Sequence, residues 1–210
     1  MLAKKKHLRL SKKNIYLITP NKLSKSFYLF LPKLLKTNRI AYLQIRLKNI
    51  SKKKLTQEIK KIKTIVKKKT KIIINDFPDI ASLLNCDGCH LGQRDQSISH
   101  VKENFKQLKI IGSTCHNSKQ LAAKSIRQGA SYIAFGSFFK TSTKRVKYQA
   151  KTSLLQWAKN KFKQPIIAIG GINETNYKSL LENGANFIAC SGYIWKNKKY
   201  DPLQALLKLK

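Results

Sequence analysis

The sequence predicts an α/β fold, a single-domain (β/α)8 barrel, and three observations lead to that class. Eight short apolar runs of strand type occur along the 210 residues. Segments with apolar residues at three- and four-residue spacing, which is typical of helices, separate these runs. The length and the 42% hydrophobic content suit one substantial core. Strands that alternate with helices form parallel sheets, and eight such units close into a barrel.

The predicted strands are runs rich in isoleucine and aromatic residues. They cover residues 15–19, 40–46, 71–75, 88–91, 109–113, 132–136, 166–170 and 187–190. Helix-type spacing is clearest in residues 51–68, 117–128 and 173–182, and Gly129 and Gly184 can stop the last two of these helices. A doubly wound open sheet is the alternative fold, but no glycine-rich nucleotide-binding turn follows the first strand.

One domain is predicted for residues 1–210, with residues 1–13 as a basic N-terminal tail. The tail is charged but has no apolar segment followed by a small-residue cleavage site. No window of the sequence approaches the length of a membrane span. We therefore expect a cytoplasmic protein without a membrane partner, and its oligomeric state stays open.

The formal charge of +35 raises nucleic acid as a possible partner. However, only six of the 44 basic residues are arginine, whereas recognition of bases and phosphates favours the guanidinium fork. The lysine excess accompanies abundant isoleucine and asparagine, as AT-rich codon usage would produce. We therefore expect no specific nucleic-acid partner. A basic nucleic-acid-binding protein remains an alternative, which binding that survives physiological salt would distinguish.

The four cysteines are expected to be buried structural thiols. Cys86, Cys89 and His90 spell the C-x-x-C-H pattern of haem attachment, but the pattern lies in a strand-like run. A zinc site would need two more ligands at finger-like spacing. Cys115 and Cys190 do not supply them, because each stands alone in an apolar run.

Polar residues follow the predicted strands at the barrel mouth, where the carboxyl ends of all the strands converge. Strand alternation would put Gln44, Arg46 and Lys48 on one side. Asp76 and Asp95 follow the third and fourth strands, and two carboxylates brought together there would suit Mg²⁺, although either could simply cap a loop. The other polar or glycine residues at strand ends are Asn75, Gln93, Thr114, His116, Thr141, Ser142, Thr143, Lys144, Gly170, Gly171, Ser191 and Gly192.

Two anion sites are predicted at this mouth. Gly171 and Ser191 lie where a turn leads into a helix after the last two strands, and such turns commonly hold a phosphate. Arg46, Lys48 and Lys144, together with Mg²⁺, would form a site of greater charge that suits a diphosphate. Two facing anion sites imply two phosphorylated substrates. If the diphosphate is a leaving group, the reaction is a substitution at carbon.

The residues at these positions resemble one family in their order and spacing. They read Gln-x-Arg-x-Lys at 44–48, Ile-Asn-Asp at 74–76, Asp-Gly-x-His-Leu-Gly-Gln-x-Asp at 87–95, Thr-x-Thr-Lys at 141–144 and Ala-Ile-Gly-Gly-Ile at 168–172. From about residue 16 to residue 194 the chain resembles thiamine phosphate synthase. The resemblance implies a Mg²⁺-dependent transferase that joins 4-amino-5-hydroxymethyl-2-methylpyrimidine diphosphate to hydroxyethylthiazole phosphate. The products would be thiamine phosphate and diphosphate.

The resemblance also implies a role for each motif residue. The catalytic residues would be Arg46, Lys48 and Lys144, and the metal ligands would be Asp76 and Asp95. The pyrimidine diphosphate would contact Gln44, Ile45, Arg46, Leu47, Lys48, Asn75, Thr114 and Lys144. The thiazole phosphate would contact Thr141, Ser142, Thr143, Gly171, Cys190 and Ser191.

The related thiazole tautomerases are the alternative function, because they resemble this chain in fold and in a histidine at the position of His116. The thiazole tautomerases tend to lack the aspartate of the fourth-strand motif and the Thr-x-Thr-Lys run. This chain keeps both, as Asp95 and residues 141–144. The transferase is therefore favoured, with Thr114 as a departure from the serine that the family usually has there.

Overall fold

The computed structural model describes residues 13–66, 70–141 and 148–209. Eight parallel strands close into a barrel in sequence order, and β8 completes it by pairing with β1. This architecture confirms the predicted (β/α)8 barrel. The strands are β1 (Ile15–Ile18), β2 (Ile40–Ile45), β3 (Lys71–Asn75), β4 (Gly88–Leu91), β5 (Ile110–His116), β6 (Tyr132–Gly136), β7 (Ile166–Ile169) and β8 (Phe187–Cys190). The N-terminal tail lies outside the described residues apart from Lys13.

Helices follow the strands and cover the outside of the barrel. They are α1 (Lys25–Lys36), α2 (Lys52–Ile65), α3 (Pro78–Leu83), α4 (Ile98–Asn104), α5 (Lys119–Arg127), α6 (Thr152–Lys161), α7 (Tyr177–Glu182), α8 (Gly192–Trp195) and α9 (Pro202–Lys208). The helices α1, α2, α4 and α5 each begin after a serine whose side chain accepts a backbone amide of the first turn. Within the described ranges, no helix has both the length and the apolar composition needed to cross a membrane.

Three predicted boundaries were wrong by three residues or more. The helix expected to run to residue 68 ends at Ile65, because the backbone of Val66 is extended. The helix expected from residue 173 begins only at Tyr177, because Asn173 and Asn176 form a side-chain turn before it. The Asn176 Oδ1 accepts the Asn173 amide at 2.9 Å, and the Asn173 Oδ1 accepts the Thr175 amide at 2.9 Å. The fifth strand, expected to end at residue 113, continues to His116, so Thr114 lies within β5.

Side chains of each strand alternate between two apolar layers. Leu17 points outward into the larger layer between strands and helices, where it shares a cluster with Phe27 and Leu31 of α1. Its neighbour Tyr16 points inward, where six buried side chains fill the barrel. These are Tyr16, Ile18, Tyr132, Ala134, Ile167 and Ala189. The interior is therefore a packed core and not a channel.

Gly112 in β5 leaves the space that the Tyr132 ring occupies. A Cβ atom at position 112 would lie 1.9 Å from the Tyr132 Cζ, and Tyr132 is only 1% exposed. We expect Gly112→Ala to lower the free energy of unfolding by about 1 to 3 kcal/mol, because the added methyl group would force the buried ring to shift. Urea denaturation measures this directly, and an unchanged midpoint would contradict the tight fit.

Candidate active site

Charged residues that follow β2 and β3 lie together at the barrel mouth. Arg46 directly follows β2, and its backbone amide donates to the Thr19 Oγ1 at 3.0 Å. Its guanidinium donates to the Asn21 Oδ1 at 3.4 Å. Asp76 directly follows β3 and has a φ of 66°. The positive charges of Arg46 and Lys48 partly offset the effects that raise the pKa of the Asp76 carboxyl. Both side chains are therefore close enough to interact electrostatically with Asp76.

The structure brings together the two predicted metal ligands, Asp76 and Asp95. Asp76 is exposed at the mouth, but partial burial of its carboxyl and the neighbouring Asp95 carboxylate raise its pKa to about 6. One oxygen of Asp95 accepts the Gly92 amide at 2.6 Å. Two crowded carboxylates offer hard oxygen atoms that a divalent cation would stabilise, so the donor set fits Mg²⁺.

No three His, Cys, Asp or Glu side chains form a metal-binding group among residues 13–66, 70–141 and 148–209. A site with two carboxylates suits Mg²⁺, which usually keeps several waters and binds substrate phosphates alongside one or two protein ligands. The pair therefore fits a metal ion that completes its coordination with a phosphorylated substrate.

A chain of buried hydrogen bonds, which the sequence reasoning missed, lies beneath the mouth. Gln44 Nε2 donates to the Tyr16 hydroxyl at 3.0 Å, and the hydroxyls of Tyr16 and Tyr132 are 2.7 Å apart. The Tyr132 hydroxyl is 2.9 Å from His90 Nδ1, and His90 Nε2 is 2.7 Å from the Thr114 Oγ1. Burial lowers the pKa of His90 to about 4, so its ring is neutral at pH 7. The chain links the predicted substrate contacts Gln44 and Thr114 across the barrel.

The two glycine turns lie side by side after the paired strands β7 and β8. Gly171 has a φ of 66°, and a Cβ there would lie 2.3 Å from the carbonyl oxygen of Lys140. Its carbonyl accepts the Asn176 Nδ2 at 3.0 Å. Ser191 precedes α8, and its hydroxyl donates to the Thr19 carbonyl at 3.3 Å. Gly171 therefore lets its turn pack directly against the backbone of Lys140, and the first amides of α8 are backbone donors at the neighbouring turn.

Several predicted contacts can act only through the backbone. The side chains of Ile45 and Leu47 are buried in the outer apolar layer. Cys190 is buried too, and burial raises the pKa of its thiol to about 12. Asn75 is half-buried at the end of β3, and Lys48 is exposed. Of the predicted contacts that follow the sixth strand, Thr141 is half-buried, while Ser142, Thr143 and Lys144 lie outside the described residues.

Two further sequence predictions concern His116 and the remaining cysteines. The ring of His116 contacts that of Tyr148 in a tilted arrangement, with ring centroids 4.5 Å apart and an interplanar angle of 34°. All four cysteines are buried, as predicted. Burial raises the pKa of the Cys86 thiol to about 11 and that of the Cys89 thiol to about 12, so both are protonated at pH 7.

The fold and the mouth together define a class of protein, the (β/α)8 barrel enzymes whose active sites lie at the carboxyl ends of their strands. A family model described as thiamine monophosphate synthase matches residues 15–194. The chain belongs to this thiamine monophosphate synthase family, as its resemblance predicted. It is a transferase of thiamine biosynthesis, and its substrates are small molecules.

Relatives and solved structures agree with this family. The chain is 50% identical over 209 residues to a thiamine-phosphate synthase of Pelagibacter ubique (strain HTCC1062), covering 98% of this chain and 100% of the relative. It is 34% identical over 185 residues to that of Rhodospirillum centenum (strain ATCC 51521 / SW), covering 87% and 89%. A thiamine phosphate pyrophosphorylase structure from Pyrococcus furiosus superimposes with a TM-score of 0.82, at 26% identity and 94% coverage of each chain.

Proposed function

We propose that the chain condenses 4-amino-5-hydroxymethyl-2-methylpyrimidine diphosphate with hydroxyethylthiazole phosphate to give thiamine phosphate and diphosphate. One observation carries this proposal. A single barrel mouth combines a carboxylate pair beside Arg46 with two adjacent glycine turns, an arrangement that supports two anion sites of unequal charge. Membership of the thiamine monophosphate synthase family supports the same reaction.

The residues after β2 and β3 would bind the diphosphate. Arg46 presents a planar guanidinium that can hold two phosphate oxygens, and Lys48 and Lys144 would add positive charge. Asp76 and Asp95 would hold Mg²⁺, which when bound would neutralise charge on the diphosphate. The positive side chains would stabilise the charge that builds up as the carbon–oxygen bond to diphosphate breaks.

The pyrimidine would lie above Gln44 and Thr114, the two ends of the buried hydrogen-bond chain. Departure of diphosphate leaves a methylene cation, whose charge the ring amino group delocalises. The neutral thiazole nitrogen then attacks that carbon with its lone pair and forms the new carbon–nitrogen bond. This substitution needs no protein nucleophile, which agrees with the protonated and buried state of Cys190.

Backbone groups after β7 and β8 would hold the thiazole phosphate. The amides at the start of α8 lack partners within that short helix and would donate to the phosphate, and Gly171 would contribute its backbone amide. The Ser191 hydroxyl, which now donates to Thr19, could donate to a phosphate oxygen instead. This arrangement would place the thiazole nitrogen opposite the diphosphate side of the mouth.

The direct test is to incubate the purified protein with both substrates and Mg²⁺ and to detect thiamine phosphate by chromatography. We expect product with both substrates and none when either is omitted or when the metal is chelated. No product from a folded protein would count against this transferase reaction and would favour the thiazole tautomerase reaction, which conversion of the thiazole tautomer would then test.

Ser191→Ala is expected to raise the KM for the thiazole phosphate about fivefold, because it removes one hydrogen bond worth about 1 kcal/mol. The KM for the pyrimidine diphosphate should not change. Ser179→Ala, at an exposed position of α7, is the matched control. If the pyrimidine diphosphate KM rose instead, the two anion sites would have been assigned in reverse.

A further inference from the structure

The interior tyrosines Tyr16 and Tyr132 bridge two residues at the mouth that are far apart in sequence. Tyr16 comes from β1 and Tyr132 from β6, and both rings are at most 2% exposed. Their hydroxyls connect Gln44 of β2 to His90 of β4. The His90 ring also stacks on Tyr132, with centroids 5.7 Å apart and an interplanar angle of 18°. The four side chains are therefore held by both hydrogen bonds and packing.

The donors and acceptors in this chain have one consistent direction. The Gln44 amide nitrogen only donates, so the Tyr16 oxygen accepts from it. The Tyr16 proton is then available for the Tyr132 oxygen, and the Tyr132 proton for His90 Nδ1. A neutral imidazole that accepts at Nδ1 carries its proton on Nε2, which donates to the Thr114 oxygen. The Thr114 proton is left for a group in the mouth.

Hydrogen-bond donation in the opposite direction, from Thr114 towards Tyr16, is disfavoured. If Thr114 donated to His90 and His90 donated to Tyr132, the Tyr132 proton would point to Tyr16. The Tyr16 oxygen would then accept from both Gln44 and Tyr132, and its own proton would have no acceptor in the chain. Leaving a buried donor unsatisfied costs free energy, so the Gln44 amide fixes the direction of every bond after it.

We propose that Tyr16 and Tyr132 are positioning residues, which fix the His90 tautomer so that the Thr114 hydroxyl donates a hydrogen bond to the substrate bound in the mouth. The matching group on that substrate is an acceptor, and a ring nitrogen of the aminopyrimidine has that chemistry. The substrate part of this inference rests on the proposed function. The tautomer part depends only on the buried side chains.

The tautomer is tested first, in the protein without substrates. Proton–nitrogen correlation spectra of protein with ¹⁵N-labelled histidine distinguish a proton on Nε2 from one on Nδ1. Variants His7→Gln, His100→Gln and His116→Gln identify the His90 signals by elimination, since the chain has four histidines. We expect His90 to be protonated on Nε2 alone. Tyr132→Phe removes the hydroxyl that donates to Nδ1, so a mixture of tautomers is expected in that variant.

The second measurement is the Kd of the pyrimidine diphosphate with Mg²⁺, determined by calorimetry. Tyr132→Phe should raise this Kd about fivefold to tenfold, the effect of losing one well-oriented hydrogen bond, and should leave the Kd of the thiazole phosphate unchanged. Tyr42→Phe is the matched control. Tyr42 packs against both Tyr16 and Tyr132, but its hydroxyl does not belong to the hydrogen-bond chain.

Tyr16→Phe is a second variant for the same test if Tyr132→Phe does not fold, as judged by circular dichroism. It removes the acceptor for Gln44 and should also produce mixed His90 tautomers. A single Nε2 tautomer in both folded variants would overturn the proposal, and so would mixed tautomers with an unchanged pyrimidine diphosphate Kd. A wild-type protein that binds the pyrimidine diphosphate but forms no thiamine phosphate would contradict the proposed function alone. Failure to bind it at all would overturn the proposed function and the substrate part of this inference, while the nitrogen spectra would still decide the His90 tautomer.

Discussion

Asp76→Asn and Asp95→Asn are each expected to lower kcat by about two to three orders of magnitude, because each would remove one of the two anionic Mg²⁺ ligands proposed for the diphosphate site. The backbone should tolerate both changes. Asparagine readily adopts the positive φ observed at Asp76, and an amide oxygen at position 95 can still accept the Gly92 amide. The measurement is a titration of kcat with Mg²⁺.

The matched control for these variants is Asp79→Asn on α3. Asp79 forms an exposed ion pair with Lys52 at 2.7 Å and is not one of the proposed metal ligands, so its loss should change kcat little. Because burial and Asp95 raise the pKa of Asp76 above its ordinary 3.8, the metal-free fold loses stability as the pH rises from about 4 to about 6. Asp76→Asn should therefore be no less stable than the wild type at pH 7. Normal turnover at limiting Mg²⁺ in both mouth variants would refute the metal assignment.

Arg46→Met is expected to lower kcat/KM for the pyrimidine diphosphate by about two orders of magnitude, since it removes the one guanidinium at this end of β2. Arg46→Lys should recover only part of the loss, because lysine keeps the charge but not the two parallel donors. The backbone bond from residue 46 to Thr19 remains in both variants. Steady-state kinetics with each substrate varied in turn measures the effect.

Arg127→Met, at the end of α5, controls for the general loss of positive charge from this basic protein. If both arginine variants lowered kcat/KM equally, the effect would come from overall electrostatic attraction and not from Arg46. An Arg46→Lys variant with full activity would show that the fork geometry is unimportant.

The barrel could be predicted from the sequence because each strand is a compact apolar run and the runs alternate with helical segments. The predicted helix boundary was wrong where side chains replace backbone groups as hydrogen-bond acceptors, as in the turn of Asn173 and Asn176 before α7. The helix α1 contains Pro32, which sequence propensity disfavours. Burial of Phe27, Leu31 and Leu34 against the barrel outweighs that cost.

The charged part of the mouth could also be predicted, because scarce carboxylates and motif residues follow the strands directly. The buried hydrogen-bond chain could not. Tyr16 and Tyr132 look like ordinary strand aromatics in sequence, and only the relative register of β1 and β6 across the barrel brings their hydroxyls to 2.7 Å. A polar Gln44 and His90 at inward strand positions were the available signal, because buried polar groups need partners.

The packed interior of the barrel closes one possible path for reactants and products. Since Tyr16, Tyr132 and their neighbours fill the space between the strands, nothing can pass from one end of the barrel to the other. Both reactants must arrive, and both products must depart, through the same opening. In the proposed reaction, released diphosphate would occupy this opening and the positive side chains proposed to bind the next pyrimidine diphosphate. Inhibition by diphosphate should accordingly be competitive with that reactant, and removal of diphosphate by a hydrolase should sustain turnover.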